Sequence, residues 1–388
     1  MRKYIILIII AFLFGACKKK IVEEEKPVQL PSNIITPIFV KTYSLSDSYF
    51  FTDAIQTNDN AYAICGMVSA NYYKPCIIRT NSDGDTLWSR IITSDSTDFV
   101  GLSIVQTSDN GFILLCSHNQ TTSKNINLIK FDENGNTLWR KNYYHGVSFN
   151  SQNKIIKNSD NTYTICGNER TTSSSVYMYL LTINENGDSL WAKEYNNNNS
   201  EICNTAILCN DNGFALLGEN TVWDDEYMVF RKTDNNGNTE FLKQFTKRWD
   251  NYGWSLTQDN SDNFYLLGMM HESVNQYASV LKTDAQGNEL WYNEFYIDEA
   301  YNYPRNIFIT SDNNLFITHV RNNSNSYMDK TALIKMNKEG TIISTKYIEN
   351  LSGEKSFEDE NGDIILIGGS FKIFIAKIDY TASAGASL

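Results

Sequence analysis

Proline and histidine are scarce in this sequence, basic residues are outnumbered, and no long apolar run crosses it. Three of the five prolines, Pro27, Pro31 and Pro37, crowd into the N-terminal part. The rest of the chain is nearly free of the residue that interrupts strand ladders. The four histidines, His118, His145, His271 and His319, stand far apart with no metal-ligand spacing between them, so no metal site is expected. Lysine and arginine total 33 against 45 aspartates and glutamates, a net charge of −12. So acidic a body lacks the basic footprint that nucleic acid requires. No apolar stretch reaches the roughly 18 residues of a membrane-crossing helix. There is no phosphate-binding G-x-x-x-x-G-K, no G-x-S-x-G elbow and no pair of adjacent cysteines. Nothing in these absences leaves a catalytic set or a cofactor to expect.

The N-terminus reads as an address. Arg2 and Lys3 precede an apolar run from Tyr4 to Ala16, too short to span a bilayer and suited to the core of a signal peptide. Gly15 and Ala16 sit directly before Cys17. This stretch resembles a bacterial lipoprotein signal, with Phe14 where the pattern prefers leucine. The resemblance implies cleavage that removes residues 1–16, lipid attachment at Cys17, and anchoring to the outer membrane on its periplasmic or its cell-surface side. Residues 17–35 carry Lys18 to Lys20, Glu23 to Glu25 and two prolines without apolar periodicity, the composition of a flexible tether.

Beyond the tether one sentence recurs. Leu128 to Tyr143 reads as a hairpin: an alternating strand, a turn at Asn134-Gly135, and an outgoing strand with Trp139, Lys141 and Tyr143 on one face. The turn glycines of its copies are Gly84, Gly135, Gly187, Gly237, Gly287 and Gly340. The outgoing strands begin at Trp88, Trp139, Trp191, Phe241, Trp291 and Ile343. A second signal, an Asp-Asn turn opening an apolar strand, recurs at a spacing of about 50 residues, at Asp59, Asp109, Asp160, Asp211, Asp262, Asp312 and more weakly Glu360. The apolar run after it ends at Gly66, Cys116, Gly167, Gly218, Gly268 or Gly368. Each unit thus holds four short strands, a to d, and no segment has sustained helical periodicity. Four-stranded antiparallel units repeated radially are the blades of a β-propeller.

Seven Asp-Asn turns but only six complete c–d hairpins are present. The last unit stops after Phe374 to Asp379, a strand c. Phe39-Val40-Lys41-Thr42-Tyr43 copies the aromatic, basic and aromatic positions of Trp139, Lys141 and Tyr143. The expectation is an all-β, seven-bladed propeller over residues 36–380, its ring closed by the N-terminal strand, which removes two open sheet edges. The tail from Tyr380 to Leu388 is expected to fray.

The hairpin Lys130 to Trp139 resembles the tryptophan-docking repeat of PQQ-like (quinoprotein or WD40-like) propellers, and the whole pattern is similar to repeat propeller lipoproteins of Gram-negative bacteria. The vicinal cysteine pair that PQQ dehydrogenases of this class set against their cofactor has no counterpart here. Ser82 to Trp88 also resembles the Asp-box of sialidases, with one residue too many before the tryptophan. One propeller lipoprotein of similar arrangement scaffolds outer-membrane protein assembly, which implies a non-enzymatic protein-binding or scaffold role. A glycan-binding accessory protein and a lyase or hydrolase with a site on the loop face remain as alternatives.

The a–b and c–d turns are short and alike, so they share one face. The b–c and d–a connections differ between repeats and share the other face, where binding is expected. The candidate residues are Trp223 beside Asp224-Asp225-Glu226, then Arg248, Trp249, Tyr252 and Trp254, and Tyr301, Tyr303 and Arg305. The last two groups lie in successive d–a segments and so belong to neighbouring blades. Tyrosine, tryptophan and arginine are the usual anchors of a protein or glycan contact. Cys65, Cys76, Cys116, Cys166, Cys203 and Cys209 are read as separate buried thiols, with a Cys65–Cys76 bridge as the main exception to check.

Overall fold

The computed structural model describes residues 28–29, 33–44, 49–69, 72–93, 99–118, 126–143, 153–170, 176–195, 200–222, 225–247, 250–272, 275–296, 301–323, 326–369 and 372–381. These build a seven-bladed β-propeller of four-stranded antiparallel blades. Blade 1 is Tyr49–Gln56, Tyr62–Ser69, Tyr73–Thr80 and Thr86–Ile91 in spatial order a-b-c-d. The inner strands of the other blades are Phe99–Gln106, Lys154–Lys157, Ser200–Leu208, Asp250–Gln258, Tyr301–Ile309 and Gly353–Glu358. Each touches the next around the axis, and the seventh touches the first.

The seventh blade is completed from the other end of the chain. Phe39–Tyr43 pairs antiparallel with Ile373–Ile378, Phe39 opposite Lys377 and Tyr43 opposite Ile373. The Tyr43 hydroxyl donates to the Gly84 carbonyl of blade 1 at 2.7 Å, and Lys41 pairs with Asp85 at 2.8 Å. Tyr143 and Tyr195 make the same bond to Gly187 and Gly237, and Lys141 pairs with Asp188. The aromatic-basic-aromatic triplet is therefore a docking device. In blades 2 and 3 strand d lays it on the c–d turn of the next blade, and the closing strand repeats it.

The glycine of that turn is required twice. Gly135 and Gly237 adopt φ of 78° and 76°, where a side chain is strained. A Cβ on Gly135 would also lie 2.9 Å from the Trp88 ring, and one on Gly237 2.8 Å from Trp191. Trp88 completes the contact by donating its indole N–H to the Glu133 carbonyl at 2.9 Å. The oxygen-rich residues of the turn are consumed locally. Asp132 accepts the backbone N–H groups of Asn134 and Asn136 at 3.0 and 2.7 Å and the Asn136 amide at 2.8 Å.

Several expectations need correction. An Asn-Gly pair between strands suggests a type I′ turn with two left-handed residues, but only Gly135 is left-handed here, and a bulge follows in strand d. That bulge turns Leu87, Leu138, Leu190, Leu290 and Ile343 out to solvent. Ile343 is consequently the bulged residue of blade 6, and Ser344, paired with Lys335, stands in the tryptophan position. Tyr380 is buried, with its hydroxyl 3.1 Å from the Leu333 carbonyl, so fraying does not begin there. Within the range read as a tether, Val28-Gln29 pairs in parallel with Phe295-Tyr296 on the outside of blade 5. Ile34 bridges Tyr347 on blade 6, and Ile35 is buried. This segment straps the outer strands of two blades before becoming the outer strand of the third.

The core is the set of inter-blade layers. Tyr62, Tyr163, Phe112, Phe131, Phe214, Phe264 and Phe316 are fully buried in them. The six cysteines after Cys17 are buried free thiols. Cys65 sits opposite Ile77, and Cys76 opposite Gly66, so the two sulfurs point to opposite faces of the blade and cannot bridge.

Candidate functional site

Each inner strand carries a bulge near its loop-face end, except in the shorter strand of blade 3. The extra residue is Thr52, Leu102, Asn204, Trp254, Arg305 or Glu354. A bulge reaims a side chain, and in blades 5, 6 and 7 it places Trp254, Arg305 and Glu354 side by side at the channel mouth. Arg305 Cζ lies 6.0 Å from the Trp254 ring and 5.4 Å from the Tyr303 ring, and Arg305 Nε is 2.9 Å from Glu354 Oε2. The guanidinium is thus held between two aromatic faces and charge-balanced by one carboxylate. The Trp254 indole nitrogen is buried with no hydrogen-bond partner among the described residues.

Tyr252, two residues before the bulge, packs against His271 with centroids 5.3 Å apart. Toward blade 4, the Asn204 amide donates to the Gly253 carbonyl at 2.9 Å and to Glu219 at 3.3 Å. Burial pushes the Glu219 carboxyl up to about 7, and the nearby Glu226 charge adds to the shift.

One residue further into the channel, equivalent positions of the inner strands form a polar ring. Asp53 receives Lys355 Nζ at 2.7 Å on one oxygen and the Ser103 hydroxyl at 2.6 Å on the other. Burial would raise this carboxyl, but Lys355, Lys154 and the Ser103 bond outweigh it and hold it below the usual range. Lys154 Nζ donates to Thr205 Oγ1 at 3.1 Å. Ser255 accepts the Ile307 N–H, and the Asn306 amide donates to the Ser356 carbonyl.

Of the sequence candidates, the structure brings Tyr252, Trp254, Tyr303 and Arg305 together on neighbouring blades. They are not in d–a loops. Asp250–Gln258 and Tyr301–Ile309 begin earlier than expected, so these side chains stand on inner strands, Trp254 and Arg305 at the bulges. Arg305 is already paired rather than free. Trp223, Arg248 and Trp249 lie outside the described residues, as does Cys17. Tyr301 is in the strand, but its side chain is not described.

Glu219, Glu354, Lys154, Lys355 and His319 were missed. His319 is fully buried opposite Pro304, with neither ring nitrogen hydrogen-bonded among the described residues. Burial and the Arg305 charge push it down to about 3, so it is neutral. It occupies the place that Gly66, Cys116, Gly218, Gly268 and Gly368 take in other blades. The signal was available: blade 6 alone has no glycine or cysteine ending its apolar run.

No family model matches this chain, and no curated protein matches it. Solved structures do. A polysaccharide lyase, Uly1, superposes with a TM-score of 0.57 at 9% identity, covering 89% of this chain and 100% of that one. The Dos1 propeller superposes at 0.53 and 8% identity, covering 88% and 94%. At these identities the likeness establishes the fold, a β-propeller, and leaves activity to the site.

Proposed function

We propose that this chain is a lipid-anchored binding module of the outer membrane, without catalysis of its own, that seats a protein partner at the loop-face mouth of its channel. The observation carrying this reading is Arg305 held between Trp254 and Tyr303 and tied to Glu354. Arginine and aromatic side chains fixed in place before binding are what interface centres are made of, because little side-chain entropy is left to lose. The anchor rests on the Gly15-Ala16-Cys17 sequence.

The test is affinity capture from native membranes with the full-length lipidated protein and with Trp254→Ala and Tyr303→Ala. The partner is retained by the wild type, and affinity falls by about thirtyfold in the variants, as loss of one interface anchor of roughly 2 kcal/mol implies. Equal capture by all three proteins at unchanged melting temperature contradicts the reading. A glycan is the second reading. It is favoured by the charge-balanced aromatic mouth, which suits a hydroxyl-rich ring, and by the lyase named among the similar folds. Capture that survives protease but not polysaccharide digestion selects it.

A further inference from the structure

Deeper in the channel, behind the aromatic mouth, the two lysines of the polar ring outnumber its one carboxylate. Asp53 and Ser103 are buried and bonded to each other, and Thr205 is buried as well. The members that keep exposure are Lys154, Asn306 and Lys355, which are half-buried. The Asn306 amide already donates to Ser356, so what this ring still offers to a ligand is two cations. The whole chain carries a net charge of −12, so a cationic patch here is local and not a reflection of the whole.

The lysines are not equally satisfied. Lys355 has Asp53 at 2.7 Å. Among the described residues Lys154 has only the Thr205 hydroxyl, a neutral acceptor. Burial lowers the Lys154 ammonium, the Lys355 charge lowers it further, and Asp53 offsets only part of this. The Cys166 and Cys203 thiols nearby offset a further part of it. A half-buried ammonium with one neutral partner, its charge further disfavoured by the Lys355 ammonium, is a site that an added negative charge stabilises.

We infer that the channel ring is a seat for one small oxyanion, a carboxylate or a sulfate, held by Lys154 and Lys355. Both groups can take a charge-assisted bond from each lysine. The seat lies inward of Arg305 by one residue in blade 6, so an acidic side chain, a chain-terminal carboxylate or a uronate presented at the mouth reaches toward it. The inference stands whether the partner at the mouth is a protein or a glycan.

Thermal melting of the full-length protein in sodium glucuronate and in sodium sulfate, each against sodium chloride at matched ionic strength, tests it. The wild type shows a saturable rise in melting temperature with at least one of the two anions. A rise with glucuronate alone identifies a carboxylate seat, and a rise with sulfate alone a sulfate seat. Lys154→Gln weakens the midpoint by about tenfold or more, the worth of one charge-assisted hydrogen bond. Lys355→Gln is the second variant should the first not fold, and the exposed Lys193→Gln leaves the midpoint unchanged. No saturable rise in the wild type overturns the seat, as does a rise that persists unweakened in the ring variant.

Discussion

Lys355 and Asp53 are 302 positions apart in the chain, and their charged atoms are 2.7 Å apart across the junction of blades 7 and 1. The ion pair lies on the inner side of a seam whose outer side is closed by Phe39–Tyr43 docking on the Gly84 turn. Inner bond and outer strand belong to one closure.

Removing the closing strand is therefore costly. Deletion of residues 32–44 is expected to lower the melting temperature far more than deletion of residues 382–388. Tyr43 and Ile35 are buried, and burial of each such side chain is worth about 1.5–3 kcal/mol against a typical total of 5–15 kcal/mol. Equal melting temperatures for the two deletions would show that the strand does not hold the ring.

Gly237→Ala should destabilise the fold by on the order of 1–3 kcal/mol, from a left-handed residue gaining a Cβ against Trp191. Gly362→Ala shares the positive φ but meets only the end of Glu358 at 3.8 Å, so it should cost less. Urea unfolding of the two variants separates backbone strain from lost docking.

Glu219 gives a pH dependence of definite sign. Its folded value, about 7, lies above the ordinary glutamate value, so the folded state holds its proton longer than the unfolded state. Its contribution is then fully present in acid and is lost as pH rises through about 7. Glu219→Gln should melt like the wild type near pH 4 and above it at pH 8. A difference that is constant across that range would mean the carboxyl is not held protonated.

Lipid attachment is testable apart from the fold. Cys17→Ala should abolish incorporation of a fatty-acid probe in cells and release the protein from the membrane fraction. Label that persists in the variant would contradict attachment at Cys17.

The fold was legible because the repeat is built from local chemistry. A turn that needs a left-handed residue announces itself as Asn110 or Gly135, and a docking tryptophan stands at a fixed offset from it. The missing strand of blade 7 could be found at Phe39 because the same triplet had to be used again. The site was only half legible. Trp254, Tyr303 and Arg305 could be grouped because successive repeats become neighbouring blades. Their placement on inner strands could not be read, since a bulge leaves no mark in the alternation around Gly253 and Pro304. Glu354 and Lys154 were missed because isolated charges in an acidic chain look like solvated surface until the ring brings them to its axis.

The central claim is that a partner occupies the loop-face mouth. A photo-crosslinking residue placed at Tyr303, and in a separate protein at the exposed Leu138 on the turn face, reports occupancy directly in native membranes. The account predicts one discrete adduct from position 303, lost in the Trp254→Ala background, and none from position 138. An adduct from position 138 with none from 303 would place binding on the opposite face and contradict it.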